Sequence, residues 1–90
     1  MESEIERLEA IAADSWYAKG ANGASVRYLG RVFARHWHGS SCLELGPAEG
    51  LMTEIIARRF EDLVLVDGSE RFCRDLRERF PSAEVVCSLF

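Results

Sequence analysis

Ser41-Cys42-Leu43-Glu44-Leu45-Gly46-Pro47-Ala48-Glu49-Gly50 decides how this 90-residue chain folds. A short apolar strand, about residues 41–45, carries an acid two positions before a glycine. It then turns through Gly-Pro-Ala-Glu-Gly into a helix whose apolar positions are Leu51, Ile55, Ile56 and Phe60. A second strand, Leu63-Val64-Leu65-Val66-Asp67, ends on an acid twenty-one residues past Gly46 and is closed by Gly68-Ser69. An acid at that distance, at the tip of the next parallel strand, is placed to accept the hydrogens of both ribose hydroxyls of a nucleoside.

The charge of the loop narrows the ligand. A nucleotide pyrophosphate needs amide donors, the positive end of a helix and no nearby carboxylates. Glu44 and Glu49 flank this loop, so it repels a diphosphate and attracts a cation. A dinucleotide fingerprint starting at Gly46 also requires glycine at 48 and 51, where the chain has Ala48 and Leu51. A ligand with adenosine at one end and a positive amine or sulfonium at the other suits the loop better, and S-adenosylmethionine is such a molecule. Asp67 alone does not separate the classes, since nicotinamide and flavin folds share that acid. Its expected setting is a polar cleft with few packing neighbours, so its removal is expected to disturb the fold little.

LELGPAEG followed by LVLVDGS resembles the first two motifs of class I S-adenosylmethionine-dependent methyltransferases, whose loop reads E/D-x-G-x-G-x-G. The resemblance rests on Glu44, Gly46, Gly50 and Asp67, covers roughly residues 41–90, and departs from the pattern at Ala48. It implies S-adenosyl-L-methionine as cofactor. Glu44 then helps hold the ligand's ammonium group, while the backbone of Gly46, Pro47, Ala48 and Gly50 wraps its methionyl part. Asp67 takes the ribose, and Gly68 and Ser69 follow at the adenosine rim. After the third strand the family often places an acid against the adenine amine. Here Ser88-Leu89 stands in that position, which implies backbone amides and apolar contact instead. Arg27-Tyr28 is similar to the arginine-bearing helix of ubiquinone-biosynthesis O-methyltransferases. Tyr17 corresponds to the aromatics that roof the cofactor in this family. No residue stands out as a catalytic base, because this fold builds its acceptor pocket largely after the third strand.

The remaining chain reads as helices and a third strand. Ser3 and Glu6 form a capping box for a helix over about residues 3–18, with Ile5, Leu8, Ala12 and Trp16 as its apolar stripe. Residues 19–23 read as a break. A second helix over about residues 25–37 carries Val26, Leu29, Phe33 and Trp37 on one face. Ser69 caps a helix running to about Phe80, Pro81 stops it, and residues 83–88 form strand three. The expected fold is α/β: the N-terminal half of a Rossmann-like parallel sheet of three strands preceded by two helices, with helices on both sides. Residues 1–40 are the helical lead-in or lid, and residues 41–90 the cofactor-binding β-α-β-α-β unit. The chain is expected to be a piece of a longer protein or to pair with a copy of itself. The first strand's edge, or the N-terminal helices, would make that homodimer.

Composition sets the remaining bounds. Hydrophobic residues make up 48% and charged residues 29%, as in soluble globular domains. The net charge of −4 argues against a nucleic-acid partner and for a small-molecule substrate. No apolar run is long enough to span a bilayer and the start is acidic, so the cytoplasm is the expected compartment, with no membrane partner. Cys42, Cys73 and Cys87 are odd in number and lack C-x-x-C spacing, and read as reduced thiols. His36 and His38 have no spaced ligand partners, so no metal is expected. Two other readings stay open: a module that binds an adenosyl ligand without turnover, and, less favoured by spacing, an NAD-dependent oxidoreductase.

Overall fold

The structure is a computed structural model that describes residues 3–12 and 21–89. In chain order its elements are α1 (Glu4–Ala12), α2 (Ala21–Ala34), β1 (Ser41–Leu45), α3 (Leu51–Ala57), β2 (Asp62–Asp67), α4 (Glu70–Arg79) and β3 (Glu84–Cys87). The three strands are parallel, in the order β1-β2-β3. This is the expected three-stranded half of a Rossmann-like sheet.

The local signals explain most boundaries. The capping box at the start of α1 forms: the Glu6 N–H donates to Ser3 Oγ at 3.0 Å and the Ser3 N–H to Glu6 Oε2 at 3.2 Å. Ser69 caps α4, its hydroxyl oxygen accepting the Phe72 N–H at 3.1 Å. Residues 13–18, the expected end of the first helix, lie outside the described residues. The expected break at 19–23 is partly overturned, since α2 takes in Ala21, Asn22 and Gly23. The first turn of a helix has unpaired N–H groups in any case, so weak helix formers cost less there. At its other end α2 stops at Ala34, where Arg35 and His36 bond three residues back rather than four. Trp37 is thereby freed from the helix, and its ring packs edge-on against Phe60 with centroids 5.5 Å apart.

The strand register sorts the sheet into two faces. Cys42, Glu44, Leu63, Leu65, Asp67, Val85 and Cys87 share one face, because Cys42 pairs with Leu63, Glu44 with Leu65, Leu65 with Val85 and Asp67 with Cys87. On that face Leu63 and Leu65 meet Ile56, Phe60 and Leu76 in a buried core. The opposite face, bearing Leu43, Leu45 and Val86, is exposed, with Leu43 61% and Leu45 56% accessible. The expectation of helices on both sides is therefore corrected. Two right-handed crossovers taken in the same direction along a sheet put both helices, α3 and α4, on one face. Covering the other face requires the chain to reverse direction at the sheet.

The expected buried face of α2 is also corrected. Leu29 and Phe33 are exposed, while Gly30 lies against Ile55 of α3 and Val26 borders the groove between the two helices. A Cβ at Gly30 would lie 2.6 Å from Ile55 Cδ1 and 3.2 Å from its Cγ2, so any larger residue there has to displace the Ile55 side chain. The stability of the chain should concentrate in the helix-covered face. Leu76→Ala is expected to cost about 2–5 kcal/mol in urea unfolding, as for other fully buried leucines. A loss below about 1 kcal/mol would place the core elsewhere.

Candidate functional site

The loop after β1 is a sequence of tight, left-handed turns. Gly46, Ala48 and Gly50 have φ of 68°, 53° and 81°. Glycine accepts this region freely, whereas an alanine held there is strained by about 1–2 kcal/mol. The restraint that holds Ala48 is visible: its N–H donates to Asp67 Oδ2 at 2.8 Å. The other oxygen of the same carboxylate, Oδ1, accepts the Ser69 N–H at 2.9 Å. Asp67 therefore ties the β1 loop to the start of α4. Its main-chain oxygen accepts the Ser88 N–H at 2.9 Å and the Cys73 thiol at 3.4 Å.

Asp67 is only 7% accessible, which corrects the expectation of a lightly packed acid in an open cleft. Replacing it with alanine would orphan two amides, so its removal costs stability as well as a ligand contact. Each carboxylate oxygen accepts one backbone bond and keeps lone-pair capacity for a second donor.

Beside Asp67 lies a cavity of about 200 Å³ lined by Gly46, Ala48, Asp67, Gly68, Ser69 and Leu89, with Ile5 and Phe72 completing the wall. Gly68 sits beneath two of these side chains. A Cβ there would stand 2.8 Å from Leu89 Cδ2 and 3.5 Å from Ile5 Cδ1. Helix α1 is thus part of the wall, and its Glu9 carboxylate accepts a hydrogen bond from the Ser69 hydroxyl. The sequence pattern marks Ile5 only as a packing residue of its helix and gives Phe72 no place at the site. The i, i+4 placement of Ile5 and Glu9 is the one sequence signal that points both toward a common surface.

The other residues expected at the site divide. Pro47 is buried within the loop. Gly50 faces the core side, where an added Cβ would lie 3.2 Å from Leu76 Cδ2 and 3.2 Å from an Arg79 nitrogen. Ser88 is exposed and joins the site through its backbone bond to Asp67. Glu44 does not line the cavity, and its Oε1 accepts the Thr53 hydroxyl at 2.6 Å. Arg27 lies at a separate groove with Val26, Leu51, Glu54, Ile55 and Arg58. Tyr17 lies outside the described residues. Among the described residues no cluster of His, Cys, Asp or Glu has metal-site geometry, and no helix is long and apolar enough to cross a membrane.

No family model matches the chain. A curated relative, ribosomal RNA small subunit methyltransferase A of Acidobacterium capsulatum, is 36% identical over 61 residues. That match takes in 68% of this chain and 20% of the relative. Two solved structures share the fold. DesVI of Streptomyces venezuelae aligns with a TM-score of 0.57 at 19% identity, covering 99% of this chain and 37% of its own. The S-adenosylmethionine-bound amino pentose methyltransferase CalS10 of Micromonospora echinaspora aligns with a TM-score of 0.58 at 17% identity, covering 99% and 36%. The chain thus has the fold of the N-terminal half of a class I S-adenosylmethionine-dependent methyltransferase. It spans little more than a third of either solved chain and a fifth of the curated relative.

Burial raises the titration of Glu44 above the ordinary carboxylate range, and the nearby Asp67 charge adds to that, while the Thr53 bond opposes it. A carboxyl raised in the folded state favours folding most below its unfolded pKa, and that contribution is lost as pH climbs through the folded value. Glu44→Gln keeps a carbonyl acceptor for Thr53 and removes the charge. The variant is expected to be more stable than the parent at neutral pH, with the difference vanishing in acid below the ordinary Glu range. Chemical denaturation across that pH span checks this, and a variant less stable than the parent at neutral pH would contradict it.

Proposed function

We propose that the cavity beside Asp67 binds S-adenosylmethionine, and that this chain is the cofactor-binding part of a methyltransferase. The acceptor in this reading is a small molecule, methylated on oxygen or nitrogen. One observation carries the proposal: a buried carboxylate with spare acceptor capacity, in a cavity otherwise walled by Ile5, Phe72, Leu89 and small residues. That pairing of one acid with an apolar wall suits a ribose diol joined to a purine.

Each named residue has a task that follows from its place. Asp67 accepts from the ribose hydroxyls while keeping its bonds to Ala48 and Ser69. Leu89, Ile5 and Phe72 supply the apolar surface for the base, and Gly68 leaves room between them. The turns at Gly46 and Ala48 bring backbone close to the ligand without a large side chain in the way. Glu44, one β-strand residue from the loop, adds negative potential that favours a cationic amine or sulfonium, at a distance rather than by lining the cavity. Bound there, the cofactor supplies an electrophilic methyl group. The protein's share of the chemistry is to orient it and exclude water, bringing a nucleophile to about 3–3.5 Å in line with the methyl.

The net charge of −4 favours a small acceptor over a polyanion. Pairing of two copies through the open β1 edge belongs to the same proposal, since an unpaired edge with exposed leucines recruits another strand. Sedimentation equilibrium should then show a dimer, and a non-associating monomer of 10.2 kDa would remove that part.

Isothermal titration with S-adenosylhomocysteine tests the cofactor. The parent should bind it more tightly than NAD. Asp67→Asn, which keeps one acceptor oxygen, should weaken binding by about 10–100-fold in a variant that still folds by near-ultraviolet circular dichroism. Equal or tighter binding of NAD, or an affinity within twofold of the parent in the folded variant, would overturn the reading.

A further inference from the structure

The two cysteines nearest the site converge on Asp67 from different elements. Cys87 ends β3, pairs in register with Asp67, and therefore faces the side of the sheet that α4 covers. Cys73, in the first half of α4, is 0% accessible and donates its thiol to the Asp67 main-chain oxygen at 3.4 Å. The Cys73 thiol and the N–H of Ser88, the residue next to Cys87, meet on the same Asp67 main-chain oxygen, which brings the two cysteines side by side. Arg77, one turn further along α4, donates to the Val85 carbonyl at 3.2 Å and pins helix to strand beside the pair. All three cysteines are free thiols, and Cys87 is exposed while Cys73 is not.

We propose that Cys73 and Cys87 are a reversible redox pair, closed into a disulfide by a peroxide-class oxidant, and that closure lowers the affinity of the neighbouring cavity for its adenosyl ligand. The second half of this inference rests on the cofactor reading above; the first half does not.

Accessibility sets the order of events, because oxidation selects exposed thiols with a second thiol in reach. Burial, then the adjoining Cys87 and the Asp67 charge, push the Cys73 thiol up to about 12, so it is inert toward solvent oxidants. The Cys87 sulfur attacks one peroxide oxygen, the O–O bond breaks, and a sulfenic acid and one water result. The Cys73 sulfur then attacks the sulfenic sulfur, the S–O bond breaks, and the departing hydroxide leaves as water with the Cys73 proton. The two thiols give up two electrons in all and reduce one peroxide to two waters. A small-molecule thiol reverses the step by exchange.

Closure reaches the cavity through the main chain. The Cys73 bond to the Asp67 oxygen is lost, and the end of β3 is drawn toward α4. Ser88 and Leu89 follow directly, the first bonded to Asp67 and the second lining the cavity. Cys42 lies two strands away, in register with Leu63, and has no part in this.

The full chain is treated with hydrogen peroxide, digested without reductant and mapped by mass spectrometry, and the oxidised and reduced forms are titrated with S-adenosylhomocysteine. A Cys73–Cys87 linked peptide that dithiothreitol removes is expected, along with an affinity loss of about fivefold or more on oxidation. Cys87→Ser should abolish both effects, and Cys42→Ser neither. Over-oxidation of Cys87 without the link, or links only through Cys42 or between chains, would overturn the pair. The link with unchanged affinity would overturn its control of the cavity. A reduced chain that does not bind the ligand at all would refute the cofactor reading and with it the control, while the peptide map still decides the pair.

Discussion

The two oxygens of one carboxylate hold this site together. Asp67 takes the Ala48 N–H on one side and the Ser69 N–H on the other. It thereby fixes a strained loop and the first turn of α4 against the tip of β2. Hydrogen bonds to a charged group contribute about 1.5–3 kcal/mol each, enough to offset the strain of a left-handed alanine. The β3 terminus is bound to the same residue through its main-chain oxygen. Cavity, loop and helix start are therefore mutually dependent, and none is an independent ornament on the sheet.

The architecture around that residue is one-sided. Consecutive crossovers in one direction bury the face with Leu63, Leu65 and Val85 and leave Leu43, Leu45 and Val86 in the open. The same register decides the chemistry. It puts Glu44, Asp67 and Cys87 on the covered face, where helix starts and buried hydroxyls can reach them. Glu44 shows the effect most clearly, because Thr53, buried in the first turn of α3, takes its carboxylate away from the cavity. A second acid beside a ligand diol would add repulsion, whereas an acid held a few residues away shapes the potential at little structural cost.

The sequence made the strands and their tips legible because short apolar runs ending in acid and glycine have few other folded solutions. β1 falls on Ser41–Leu45 as expected, and β2 ends on Asp67. Caps were legible for the same reason: Ser3 and Ser69 lie where a side-chain oxygen must satisfy an orphan amide. Helix faces were less so. Nothing in the spacing of Val26, Leu29 and Phe33 reveals that Gly30 lies against Ile55, since close approach depends on what the partner helix presents. The part of α1 in the cavity wall was hidden too, because Ile5 and Glu9 meet Gly68 and Ser69 across more than fifty residues of chain. The open sheet face depended on crossover direction, which local patterns do not encode.

The strand-tip cavity organised by Asp67 is the proposed adenosyl site. Amide-resolved nuclear magnetic resonance during titration with S-adenosylhomocysteine tests this most directly. The amides of Ala48, Gly68, Ser69 and Leu89 are expected to shift together with a single saturation curve, while those of Arg27 and Arg58 stay in place. Shifts centred on the groove between α2 and α3, or none at all from a folded chain, would contradict it.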